Sequence, residues 1–384
     1  MVYATMGRVP DCENTYVADL AEGTDRPRHI KRTTPLKLVG ADYFTSREMI
    51  DDLSAADVLV VHYLTPHAMR MIVAAPQWMV VVWSGWGADY YNIHPTGNEY
   101  LLEEASKNIA AELYKSWSSS SLVAFVKRHL RSVKFRAVYA GRIAPAIRRV
   151  DFFSAPIPED YEVAQRLFGR DLRASYVQLV YGTMETFSAG LVNPQGRNIL
   201  VGNSAQITNN HVDVFEKLSK MNLEGREVIV PLSYGDMIYR DYVLAAGKRL
   251  LSSSFRPIMD FLALDEYNAL ISSCSCAMMN YHRQQGLCNI GTLLLSGSRV
   301  YMNPINPLFQ FFHGRGAVFE DIGRLDTPWD EMFEKVSEED RLINDSILRG
   351  FWEIDRVDTY FRDFIVDVRR CLDRRAGDPR RHGR

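Results

Sequence analysis

The sequence predicts an α/β protein made of two successive α/β units with largely parallel sheets. Three features carry that reading. Short apolar runs of strand length alternate with segments of helical period along most of the chain. Many of these runs end in turns of Gly, Asn, Ser or Pro, the pattern of a strand feeding a helix. A stretch Gly-Leu-Val-Asn-Pro-Gln-Gly at 190–196 then breaks the alternation, and a fresh strand follows it. At 384 residues the chain is long enough for two separate cores.

In the first half, 57–62 and 78–83 read as buried strands, with 150–154 and 176–181 as two more. Segments 99–114, 122–134 and 161–168 read as helices, and 2–6 is the one candidate for an initial strand. After the break come strand 198–201, helix 210–220, strand 227–231 and helices 237–249 and 265–273. Strand 276–281, helix 287–295, strand 299–302, helix 308–313 and strand 317–321 complete the second unit. From 331 onward the pattern is mostly helical. The expected division is therefore 1–190, 197–330 and a C-terminal 331–384 of helices and basic tail.

Composition is that of a soluble globular protein, 47% hydrophobic and 24% charged. The net charge of −2 hides an asymmetry. Between 127 and 149 there are many Lys and Arg and no acid, and the tail 369–384 is again rich in Arg. No secretory leader pattern opens the sequence, and no run approaches the roughly 18 apolar residues of a spanning helix. The five cysteines lack metal-ligand spacing, which points to a reduced, cytosolic setting with Cys274 and Cys276 serving as packing residues.

The most telling loop is Asn280-Tyr281-His282-Arg283-Gln284-Gln285-Gly286, set between a strand and an apolar helix. Free amides and the positive dipole end of a helix make such a turn a seat for phosphate. Gly286 lets the backbone approach a ligand and Arg283 brings a bidentate charge. Gln284, Gln285 and Asn289 add amide groups. A second strand end, Val201-Gly202-Asn203-Ser204, offers a small polar turn for a diphosphate or sugar; alone it is a plain connection, with Asn210 capping the next helix.

Other residues keep two readings open. Asp89, after Trp86-Gly87-Ala88, is placed either as a general base for a sugar hydroxyl or as a turn cap. His62, ending the preceding strand, is a second candidate base, though a lone His there is more often a packing residue. Tyr234 fits stacking on a nucleobase or a plain place on the rim. Asn303 and Asn306 fit donor contact or turn chemistry. Asp265 and Glu266 suit the first turn of a helix. Lys127, Arg128, Arg131, Lys134 and Arg136, interleaved with apolar residues, suit an anionic membrane face. Nucleic-acid binding has no motif to support it. The chain has no Gly-x-Gly-x-x-Gly, no P-loop and no Asp-x-Asp, so neither a cofactor nor a metal is expected; an arginine at a helix N-terminus can neutralise a leaving diphosphate instead.

Taken together, Ile199-Leu200-Val201-Gly202-Asn203-Ser204 with Asn210-His211, Val228 to Gly235, His282-Arg283-Gln284-Gln285-Gly286, Asn303-Pro304-Ile305-Asn306-Pro307-Leu308 and Trp86-Gly87-Ala88-Asp89 resemble one family. It is that of the TDP-N-acetylfucosamine:lipid II N-acetylfucosaminyltransferases, or 4-alpha-L-fucosyltransferases, glycosyltransferase family 56. The resemblance covers about 198–322 and, less fully, 58–91; the N-terminus departs from it. It implies a GT-B fold, two Rossmann-like domains facing a cleft, with a dTDP-sugar on the C-terminal domain and a polyprenyl-diphosphate-linked glycan on the N-terminal one. It also implies peripheral attachment at the cytoplasmic face of a bacterial inner membrane. In this frame Arg283 neutralises the departing diphosphate and Asp89, or else His62, takes the acceptor proton if the reaction inverts. Two alternatives stand beside it, a GT-B-type sugar-nucleotide epimerase and a non-catalytic subunit of a glycan assembly complex.

Overall fold

A computed structural model describes residues 12–20, 35–114, 133–180, 182–189, 191, 196–327 and 331–377. The expected strand at 2–6 lies outside them, as does all of the expected helix 122–134 except its last two residues. Two compact units divide the chain: 1–93, 134–181 and 354–384 form one, and 94–133 with 182–353 form the other. Neither is continuous in sequence, so the units do not follow the three consecutive segments expected above.

The second unit holds a six-stranded sheet of parallel pairs: β7 (Asn198–Val201), β8 (Val228–Pro231), β9 (Phe255–Ile258), β10 (Cys274–Met279), β11 (Arg299–Met302) and β12 (Glu320–Asp321). The spatial order is β9-β8-β7-β10-β11-β12. Within the unit that is the 3-2-1-4-5-6 order of a dinucleotide-binding fold, with its reversal between β7 and β10. Strands β8 and β10 are buried throughout, as expected of central parallel strands covered on both faces by helices.

One face of this sheet packs Ile199, Val201, Val228, Val230, Cys276 and Met278 against Val214, Phe215 and Leu218 of helix His211–Leu218 and Tyr239 and Val243 of helix Met237–Leu251. Leu102, Ile109 and Ala110 join the same core. That burial is why 94–114 belongs to this unit although 134–181, which belongs to the other unit, separates it in sequence from the rest. Hydrogen bonds reinforce it: Asp213 caps helix Glu104–Tyr114 by accepting from Ala105 N (2.8 Å), Ser106 N (3.2 Å) and Ser106 Oγ (2.6 Å). Of the expected helix 99–114, only Glu104–Tyr114 is α-helical, after a single 3₁₀ turn at Glu99–Leu101.

The first unit holds a parallel sheet in the order β3 (Val58–His62), β4 (Val80–Ser84), β5 (Phe152–Ser154) and β6 (Ser175–Tyr176). A separate parallel pair joins β1 (Val17–Asp19) to β2 (Lys37–Val39). The long helix Ile354–Ala376 returns to this unit, burying Val357, Phe361, Phe364 and Val368, one apolar stripe at helical spacing. Phe364 meets Phe152 edge to face, and Arg375 donates to the Trp78 and Met79 carbonyls and pairs with Asp151. Asp151 also takes Val81 N (2.8 Å) and Arg149 Nη1 (3.2 Å). The C-terminal helices thus part company at Glu353: helix Glu338–Trp352 stays with the second unit.

Candidate active site

Two loops leave the carboxyl ends of β7 and β10, on either side of the order reversal, and both are shaped by glycine. Gly202 sits at φ 68°, and a Cβ there would meet His211 Nε2 at 2.6 Å. Gly286, also at φ 68°, is the N-cap of helix Leu287–Leu295, and a Cβ would lie 2.9 Å from the Tyr281 hydroxyl and 3.4 Å from Asn203. Both positions demand the left-handed backbone and the missing side chain. The consequence is a close approach of the two turns with a helix N-terminus opening beside them.

Side chains then couple the turns. Asn203 N donates to Asn209 Oδ1 (2.9 Å), and Asn209 Nδ2 donates to Ser204 Oγ (3.3 Å). Gln285 Nε2 reaches Asn203 Oδ1 (3.4 Å) while Gln285 Oε1 accepts from Thr208 Oγ1 (3.0 Å). Tyr234, half exposed at the end of β8, meets Asn203 Nδ2 through its hydroxyl (3.4 Å), and partial burial raises its pKa. Gly202, Asn203, Ser204, Tyr234, Gln285 and Gly286 are thereby brought together. Arg283 and Gln284 are buried in the same loop, where Arg283 Nη1 donates to the Gln284 carbonyl (3.0 Å). Asn289 turns elsewhere and donates to the Tyr267 hydroxyl (2.8 Å).

Two asparagines fix the frame. Asn306, fully buried, donates to the carbonyls of Tyr281 and Arg283 (2.8 Å each) and accepts from Leu308 N (2.8 Å). Its amide is thus used within the fold, which settles the earlier choice in favour of turn chemistry. Asn210 does not cap its helix: in the left-handed conformation it donates to the carbonyls of Leu101 (3.2 Å) and Asn280 (2.8 Å) and accepts from Glu103 N (3.0 Å). Asn303 Nδ2 donates to Glu103 Oε1 (3.1 Å), the atom that also lies 2.7 Å from His282 Nε2. Within this braced frame, Asn280 Oδ1, Gln284 Oε1 and His211 Nε2 are buried with no hydrogen-bond partner among the described residues. Buried polar atoms without partners beside two glycine turns are groups that a bound polar ligand could satisfy.

The first unit treats its strand ends differently. Asp89 is buried and accepts three bonds, from Trp83 Nε1 (2.8 Å), Leu64 N (3.0 Å) and Trp86 N (2.9 Å). Burial raises its pKa and these donors oppose the rise. His62 closes β3, exposed and 6.2 Å from the Trp86 ring, with desolvation lowering its pKa to about 4. Lys134 and Arg136 are exposed on this unit; Lys127, Arg128 and Arg131 lie outside the described residues. Not every cation of 127–149 is available, since Arg148 pairs with Asp171 and Arg149 with Asp151.

Sequence reasoning missed Glu103, Thr208, Asn209 and Tyr267. Glu103 gave no signal, because its partners His282 and Asn303 lie 179 and 200 residues away. Among the described residues no three His, Cys, Asp or Glu gather so as to hold a metal ion.

Residues 173–316 match the model of a family described as 4-alpha-L-fucosyltransferase, glycosyl transferase group 56, the family the motifs resemble. The matched segment contains both glycine turns and the Arg283 loop. Among solved structures, the chain is similar to an α,α-trehalose-phosphate synthase (UDP-forming) from Burkholderia xenovorans, with 10% identity over 96% of each chain and a TM-score of 0.54. It is similar too to a sucrose-phosphate synthase from Thermosynechococcus elongatus, with 9% identity over 88% of this chain and 82% of that one, at a TM-score of 0.55. At such identities the likeness is one of fold: two Rossmann-like units of GT-B type. The family match makes the chain a glycosyltransferase.

Proposed function

We propose that the chain transfers an acetamido-dideoxyhexose from a dTDP-sugar to a polyprenyl-diphosphate-linked glycan in bacterial surface polysaccharide synthesis. The observation that carries the donor half is the crevice at the order reversal of the second unit. There two left-handed glycine turns, a helix N-terminus and the buried Arg283 converge where a nucleoside diphosphate binds in sheets of this order. Arg283 and the helix N-terminal amides stabilise the charge that develops on the leaving diphosphate. The family resemblance supports the sugar and the acceptor.

The acceptor half falls to the first unit. Asp89 already accepts three N–H groups and serves to hold the loops after β3 and β4 together. His62 is exposed at a strand end, with the Asp89 carboxylate already committed, so for an inverting reaction it is the better-placed base. The exposed Lys134, Arg136 and Arg142 give this unit a cationic face for anionic lipid at the cytoplasmic side of the inner membrane.

The test is a transfer assay with the dTDP-sugar and a polyprenyl-diphosphate-linked glycan, run in EDTA. A glycosylated lipid product is expected. Conversion of the sugar nucleotide without acceptor would instead make the chain an epimerase, and turnover of neither substrate would leave a non-catalytic subunit.

A further inference from the structure

Glu103 stands immediately before helix Glu104–Tyr114, a position from which a carboxylate usually caps the helix. It does not do so here. The first amides of that helix are taken by Asp213, which accepts from Ala105 N, Ser106 N and Ser106 Oγ. The Glu103 side chain instead turns toward the loops that follow β10 and β11. Its Oε1 lies 2.7 Å from His282 Nε2 and accepts from Asn303 Nδ2 at 3.1 Å, while its backbone amide is held by Asn210. One oxygen is thus fixed from two sides. The other, Oε2, makes no hydrogen bond among the described residues, on a side chain that keeps about a third of its surface open.

The contact with His282 holds the Glu103 carboxyl below its usual pKa, so the group is ionised at neutral pH. An oriented anionic acceptor, held by the residue that precedes Arg283, cannot serve the phosphates, which it repels. It suits a neutral donor group, a hydroxyl or an amide N–H. The loop after β10 thus has chemically unlike surroundings: cation and helix amides at Arg283 and Gly286, and the Glu103 carboxylate against His282.

We infer that Glu103, positioned by His282 and Asn303, binds the transferred hexose of the donor through its hydroxyl or acetamido N–H groups and so sets which sugar the site accepts. This deepens the donor-site reading above and rests on it. The diphosphate is oriented toward Arg283 and the sugar toward Glu103, which places the bond to be broken between the two.

The experiment compares binding of dTDP with binding of dTDP-4-acetamido-4,6-dideoxygalactose to wild type, Glu103→Gln and Asn303→Ala, with thermal melting of each. Wild type should bind the sugar nucleotide more tightly than dTDP. In Glu103→Gln, dTDP affinity should stay within about 2-fold while sugar-nucleotide affinity falls about 10-fold or more, the scale of a lost hydrogen bond to a charged group. Asn303→Ala, which loosens the carboxylate without removing it, should shift the same ratio by less and serves if Glu103→Gln does not fold. An unchanged ratio, or an equal loss for both ligands, overturns the role of Glu103 and leaves the donor site standing. Failure of wild type to bind either ligand overturns the donor site and this inference with it.

Discussion

The two units build the same local device, a parallel strand running through a glycine-containing turn into a helix, and finish it in opposite ways. After β4, the polar side chain of the turn is consumed: Asp89 accepts three N–H groups and is buried. After β10 the bracing comes from outside the turn, through Asn306 and Asn210, and leaves Gln284 Oε1 and Asn280 Oδ1 buried with no partner among the described residues. A loop that satisfies itself is a brace. A loop held by its neighbours is free to face a ligand.

That contrast makes predictions of unequal size. The largest concerns the brace. Asp89→Ala strands three N–H donors, two of them buried, and should cost about 3–5 kcal/mol in urea unfolding, with activity lost through unfolding. A variant that unfolds like wild type yet does not turn over would make Asp89 a reacting group instead. In the second unit the order reverses: Arg283→Ala should lower turnover about 10²–10³-fold while the urea midpoint moves little. Full activity in the folded variant would remove Arg283 from the mechanism.

A smaller effect comes from His211, fully buried beneath Gly202, where burial lowers its pKa to about 3. The unfolded imidazole titrates near 6.5, so this residue's contribution is complete above that pH and is lost as pH falls toward 3, because the unfolded chain binds the proton first. Between pH 7 and 5 the loss should be about 2 kcal/mol, and His211→Asn should lack that slope whatever its stability at pH 7. Equal slopes in the two proteins would mean that His211 is not the group being titrated. Smallest is the lipid term. Replacing Lys134, Arg136 and Arg142 by Gln should weaken co-sedimentation with anionic vesicles by about 1 kcal/mol per charge at most. Replacing Arg148 or Arg149 should act on stability instead, since both are paired.

The central strands of the second unit were legible because each is a continuous apolar run bounded by turn residues; β7 and β11 and helix Leu287–Leu295 match residue for residue. Strand β9, Phe255-Arg256-Pro257-Ile258, was not, since a short run containing proline reads as loop and forms a strand here only at the sheet edge. The glycine turns could be read from composition. Glu103 could not, nor could the partition of 94–114 into the second unit, because both depend on packing across more than a hundred residues of chain. Asn210 read as a cap and Asn306 as a turn residue or donor contact; in the structure it is Asn306 that caps, and each also ties segments that local sequence cannot connect.

The most direct test of the central claim is a calorimetric titration of the purified protein with dTDP, with UDP and GDP as controls, in EDTA, repeated on Gly286→Ala. Selective dTDP binding that is lost in Gly286→Ala, whose added methyl would crowd Tyr281 and Asn203, is the predicted result. Equal binding by the two proteins, or binding of none of the three nucleotides, would contradict a diphosphate seat at the order reversal of the second sheet.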